Sequence, residues 1–139
     1  KKSSFTPVIV LFLLFLSCKG QIEPVPEEIN TDLLTTKTRH IVKAVYVNST
    51  GLESSISDAW QECSFKSTYK FNDDLTYFVA DSCFEDTVIY HWQFIENKSK
   101  INIYRADTVQ YLILKLNDEE LKLEQLNNGT DFRKIYIYR

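Results

Sequence analysis

From His40 to Tyr138 apolar and polar residues alternate with a period of two over most of the chain, the pattern of strands with one face on a core and the other on solvent. Turn residues divide this stretch into eight predicted strands: 40–47, 65–71, 75–81, 88–95, 101–105, 108–116, 120–126 and 132–138. The later connections are hairpin-length and rich in Asn, Asp and Gly, as in Asn72-Asp73-Asp74, Asn97-Lys98-Ser99, Asn117-Asp118-Glu119 and Asn127-Asn128-Gly129-Thr130. The looser stretch 48–62 has room for a short helical turn. One predicted face carries Phe65, Tyr69, Phe71, Tyr77, Val79, Val88, Tyr90, Trp92, Phe94, Ile101 and Ile103, continuing through Leu112, Leu114, Leu116, Leu121, Leu123, Ile135 and Ile137. The other carries Lys66, Thr68, Lys70, His91, Gln93, Asn102, Lys122, Glu124 and Lys134, together with Tyr104, Tyr111, Tyr136 and Tyr138. Strands of a parallel sheet would read as continuous apolar runs. Eight sequential antiparallel strands remove their edges most simply by closing into an up-and-down β-barrel, with a two-layer sandwich as the alternative.

The beginning of the chain follows another pattern. Lys1 and Lys2 precede an apolar stretch from Phe5 to Leu16 interrupted only by Thr6 and Pro7. A spanning helix needs about 20 apolar residues, so residues 1–17 read as a secretory signal peptide. Leu16-Ser17-Cys18 resembles a bacterial lipobox. That resemblance implies cleavage before Cys18, diacylation of its thiol with long chains such as palmitate, and acylation of the new amine. Two or more chains give stable attachment to a lipid bilayer where one is marginal. The alternative is an ordinary secretory signal that happens to end at a cysteine. Lys19 stands where an Asp marks inner-membrane retention, so the resemblance to Gram-negative lipoproteins implies the outer membrane, with the side it faces left open. Residues 18–37 comprise the lipidated Cys18 and a polar segment with Pro24, Pro26 and three glutamates, read as a flexible tether. The folded domain is then 38–139.

Composition narrows the function classes. A chain of 139 residues, 44% hydrophobic and 25% charged, fits one domain. Aromatics reach 14% with few Gly and Pro, which favours strands. A formal charge of −3 argues against nucleic-acid binding through phosphate neutralisation. Of the three cysteines, Cys18 is assigned to lipid, leaving Cys63 and Cys83 as a pair in an oxidising compartment. A disulfide between them is favoured over a metal or redox pair, because no C-x-x-C or ligand spacing is present. It would close a loop of about twenty residues, contributing ~3 kcal/mol in the chain-entropy model.

Cys63, then Tyr69-Lys70-Phe71-Asn72-Asp73-Asp74 leading into Thr76-Tyr77, then Cys83 and Trp92 resemble the lipocalin-like lipoproteins of Gram-negative bacteria. The resemblance covers roughly 38–139 and implies a β-barrel lipoprotein able to hold a small apolar ligand. Three positions depart from the family's pattern. Leu75 replaces a Gly, His40 falls about where the first strand has a Trp, and Lys66 stands where an Asp is common.

The chain offers little catalytic chemistry. His40 and His91 are its two histidines, and His91 reads as a surface residue beside Gln93. No nucleophile elbow, zinc-protease helix, phosphate loop or calcium loop is present. The expectation is a non-enzymatic binding module with no cofactor or metal. Its ligand would be small and hydrophobic, with Tyr69, Phe71, Tyr77, Tyr90, Trp92 and Phe94 as cavity walls; the same rings could instead fill the core. The second expectation is a protein-interaction module resembling the small barrel lipoproteins that inhibit lysozymes. It would meet an envelope protein through loops and the outward tyrosines Tyr104, Tyr111, Tyr136 and Tyr138.

Overall fold

The computed structural model describes residues 29–56, 59–126 and 129–139. The signal segment 1–17, Cys18 and most of the predicted tether lie outside the described residues. A short helix α1 (Thr31–Thr35) leads into strands β1 (Thr38–Arg39), β2 (Ile41–Val47) and β3 (Glu53–Ser55). Helix α2 (Ala59–Lys66) follows, then β4 (Thr68–Phe71), β5 (Thr76–Asp81), β6 (Asp86–Ile95) and β7 (Lys100–Tyr104). The chain ends with β8 (Thr108–Leu116), β9 (Leu121–Gln125) and β10 (Arg133–Tyr138).

All pairings are antiparallel, in the order β1-β4-β5-β6-β7-β8-β9-β10-β2-β3. Only His40 separates β1 from β2, so one run of chain pairs with β4 at its start and with β10 over the rest. This curls the sheet into a barrel-like form. His40 sits at the seam: its N–H donates to the Arg139 carbonyl at 2.7 Å and its carbonyl accepts from the Arg139 N–H at 2.9 Å. Its Nδ1 lies 3.0 Å from the Ser67 carbonyl on the β4 side.

The ten observed strands correct the expected eight. The first predicted strand begins at Ile41 rather than His40 and is preceded by the additional two-residue β1, β3 forms within the stretch read as loose, and the second predicted strand starts late because residues 65–66 are helical. Helix α2 is supported by the Glu62–Lys66 ion pair at 2.9 Å. It ends where the Ser67 N–H and Oγ both donate to the Cys63 carbonyl, at 3.0 and 2.9 Å. The turn residues act as their chemistry predicts. Asn48, Asp74 and Asn117 each accept backbone N–H bonds two residues on, at 3.0 Å in each case. Leu75 adopts φ 67°, a left-handed conformation that costs a residue with a Cβ roughly 1–2 kcal/mol.

The main core contains Leu34, Ile101, Leu121 and Leu123 at 0% exposure, with Trp92 at 1% and Phe71 at 2%. Leu34 belongs to α1, so the packed unit takes in part of the stretch read as tether. Asn30 caps this helix by accepting from the Asp32 N–H at 3.0 Å. Arg39, itself buried, donates through Nη2 to the Leu33 carbonyl at 2.8 Å. Lys37 pairs with Asp118 at 3.2 Å, tying the same end to the β8–β9 turn.

Two strands face the other way from the expectation. Tyr136 and Tyr138 of β10 stand opposite Leu123 and Leu121 and join the interior, while Ile135 packs with Val45 and Val47 in a separate cluster. In β8, Tyr111 lies opposite Ile101 and faces inward, so Leu112 and Leu114 face outward. An irregularity between Ile113 and Lys115 then returns Leu116 to the interior opposite Leu121. Both strands carry apolar residues at even and odd positions, so period two fixed no direction, and a one-residue choice inverts every side chain.

The disulfide between Cys63 and Cys83 is present, with Cα atoms 5.3 Å apart. It joins α2 to the β5–β6 loop.

Candidate functional site: a tyrosine-lined cavity

The interior has two ends of different character. At one, Phe71, Trp92 and Phe94 fill the space. The Trp92 ring meets Phe71 at 5.5 Å and 89°, and Phe94 at 5.1 Å and 88°, the edge-to-face geometry aromatic quadrupoles favour. The indole Nε1 donates to the Asn72 carbonyl at 3.0 Å, so its polar atom is satisfied within the packing.

At the other end lies an open cavity of about 420 Å³, within the range of small-molecule sites. Six tyrosines line it: Tyr69 from β4, Tyr77 from β5, Tyr90 from β6, Tyr111 from β8, and Tyr136 and Tyr138 from β10. Ile41, Val79, Ile103 and Val109 fill the gaps, and Asp81, Arg105, Ala106 and Asp107 form the side of the cavity made by the strand-end loops. The rings brace one another. Tyr69 meets Tyr138 at 5.5 Å and 84°, Tyr111 meets Tyr136 at 6.2 Å and 70°, and Tyr77 meets Tyr90 at 5.9 Å and 50°.

The hydroxyls divide into held and open. Tyr69 donates to the Ser64 carbonyl and Tyr136 to Gln125 Oε1, each at 3.2 Å. Among the described residues the Tyr90 and Tyr111 hydroxyls have no protein hydrogen-bond partner. Burial pushes the Tyr69 and Tyr111 phenols up from their ordinary pKa, and Tyr77 and Tyr138 well up. All four are neutral near pH 7.

The ion pairs of the described residues lie elsewhere. Lys43–Glu53, Lys100–Glu96 and Arg133–Glu124 close at 2.6 Å, and Glu120 accepts from both Lys115 and Arg139. None of these pairs includes Asp81, Glu85, Asp86, Asp107 or Arg105. Asp81 instead accepts the Cys83 N–H at 2.8 Å, shaping the loop that carries Glu85 and Asp86.

Of the six residues expected as ligand walls, Tyr69, Tyr77 and Tyr90 line the cavity. Phe71, Trp92 and Phe94 belong to the filled end. Sequence reasoning missed Tyr111, Tyr136 and Tyr138 because it turned β8 and β10 outward; the available signal was that the inverted register places aromatic residues beside Tyr69 and Tyr77. His91 is on the outer face as expected, stacked on Tyr104 at 5.7 Å. The chain matches no known family model and no curated protein.

Proposed function

We propose that the protein is a lipid-anchored lipoprotein of the cell envelope, at the outer membrane, whose lipocalin-like barrel binds a small ligand with a hydrophobic body and does not transform it. The observation that carries the binding reading is the tyrosine-lined cavity of about 420 Å³ beside a fully packed opposite end. A closed pack throughout would have favoured a purely structural barrel. Counting the run 38–47 as one strand interrupted at His40 leaves nine strands, of which eight follow one another around the curled sheet while β3 pairs outside them on β2; that succession supports the lipocalin-like reading. The interaction-module reading loses support, since Tyr111, Tyr136 and Tyr138 are interior and only Tyr104 of its four anchors lies outside.

The ligand reading is tested by native mass spectrometry of the protein purified from its own host. Excess mass that disappears on denaturation is expected, and equal native and denatured masses would count against it. The anchor rests on Leu16-Ser17-Cys18. Cys18→Ala is expected to abolish incorporation of labelled palmitate, and undiminished labelling would overturn the lipobox assignment.

A further inference from the structure

We propose that the tyrosine cavity selects an organic cation, an amine or quaternary ammonium group carried on a small apolar body. This rests on the reading that the cavity binds a ligand, and it names the ligand's charge. The first support is the wall itself. Aromatic faces carry a negative quadrupole that attracts cations, and cages of such rings recognise quaternary ammonium groups. Here six phenol rings surround one space, with neighbours at 84° and 70°, so the rings form walls and corners. Among the described residues lining it, the only charged ones are Asp81, Arg105 and Asp107.

The second support is the sign of the charge at the loop end. Asp81 and Asp107 line the cavity, Asp86 opens β6 directly opposite Asp81, and Glu85 precedes it in the loop between the two. Against these four carboxylates stands Arg105, held beside Asp107 by a 3.2 Å bond from its backbone N–H to the Asp107 carbonyl. No ion pair of the described residues neutralises the four. Like charge gathered at the edge of a low-dielectric cavity focuses its field and concentrates the opposite charge there. An anionic ligand would face the same carboxylates with one guanidinium in its favour.

The third support is hydrogen bonding. A purely apolar ligand would cover the Tyr90 and Tyr111 hydroxyls without giving them partners, which penalises binding. A protonated amine supplies donors to their oxygens, whereas a quaternary ammonium relies on the ring faces and the carboxylates alone.

The test uses three probes of similar size, titrated calorimetrically into the full-length protein: phenyltrimethylammonium, its uncharged isostere tert-butylbenzene, and benzoate. The cation is expected to bind at least tenfold more tightly than tert-butylbenzene, with benzoate weakest and the cation's affinity falling as salt is raised. Asp107 is exposed, so Asp107→Asn should fold. It is expected to narrow the cation's margin over tert-butylbenzene by threefold or more, and an unchanged margin would remove the carboxylates from the proposal. Equal or tighter binding of tert-butylbenzene or benzoate would overturn the charge selection while leaving ligand binding intact. No binding by any probe would count against both.

Discussion

Above pH 10 the protein is expected to unfold steeply, with tyrosinate absorbance and loss of the β-sheet circular dichroism rising in one transition. The cause is the burial of phenols around the cavity. Desolvation raises Tyr69, Tyr77, Tyr111 and Tyr138 above the ordinary value of 10.0. With folded values above unfolded ones, the folded chain holds protons that the unfolded chain releases. The stabilisation is therefore fully present below pH 10 and is lost as pH rises beyond it. Each such group costs up to about 1.4 kcal/mol per pH unit. Four together approach roughly 5 kcal/mol per unit, comparable to the whole stability of a small domain. Tyr69, Tyr77 and Tyr138 are each less than a tenth exposed, so solvent screening removes little of this. Parallel pH titrations by absorbance and circular dichroism check it. Ionisation of all the tyrosines near pH 10 with the dichroism intact would show that the cavity rings are open to water.

The same tyrosines mark where the sequence was legible. In β4, Thr68-Tyr69-Lys70-Phe71 alternates strictly, and in β6 Trp92 sits between His91 and Gln93; polar residues there name the solvent face, and the inward face of both strands was assigned correctly. β10 reads Arg133-Lys134-Ile135-Tyr136-Ile137-Tyr138, where isoleucine and tyrosine are both acceptable in a core. Its direction is decided by its partners, Leu121 and Leu123 on one side and Val45 on the other. Period alone carries no information about that pairing. β8 adds a register irregularity that lets Tyr111 and Leu116 share one face. α1 escaped notice for a different reason. A five-residue helix with one buried leucine is too short to show a 3.6-residue period. The Cys63–Cys83 bridge was legible because the pair left once Cys18 is assigned to lipid has neither C-x-x-C nor metal-ligand spacing.

Replacing Trp92 with alanine is expected to destabilise the domain by about 3–5 kcal/mol, the usual range for deleting a buried aromatic, while sparing the tyrosine cavity. The magnitude follows from position. Trp92 is 1% exposed, packs edge-to-face with both Phe71 and Phe94, and donates Nε1 to the Asn72 carbonyl at the turn that also contains Leu75. The Trp92 backbone N–H donates to the Leu75 carbonyl at 2.8 Å, and that link survives the substitution, so the loss is one of packing and of the indole bond. In urea, the unfolding midpoint should fall with little change in slope, because the surface exposed on unfolding is nearly the same. The reading from sequence made Trp92 a wall of the ligand site, and it would place the variant's defect in binding. The structure separates the two ends: Trp92 lines no part of the cavity, whose rings are braced by Tyr138 and Tyr136. Below its own unfolding transition, Trp92→Ala is therefore expected to bind phenyltrimethylammonium within threefold of the parent. A loss of less than 1 kcal/mol would mean that this end is loosely filled. Abolished binding in a variant still folded by circular dichroism would mean that the aromatic plug and the tyrosine cavity act as one compartment.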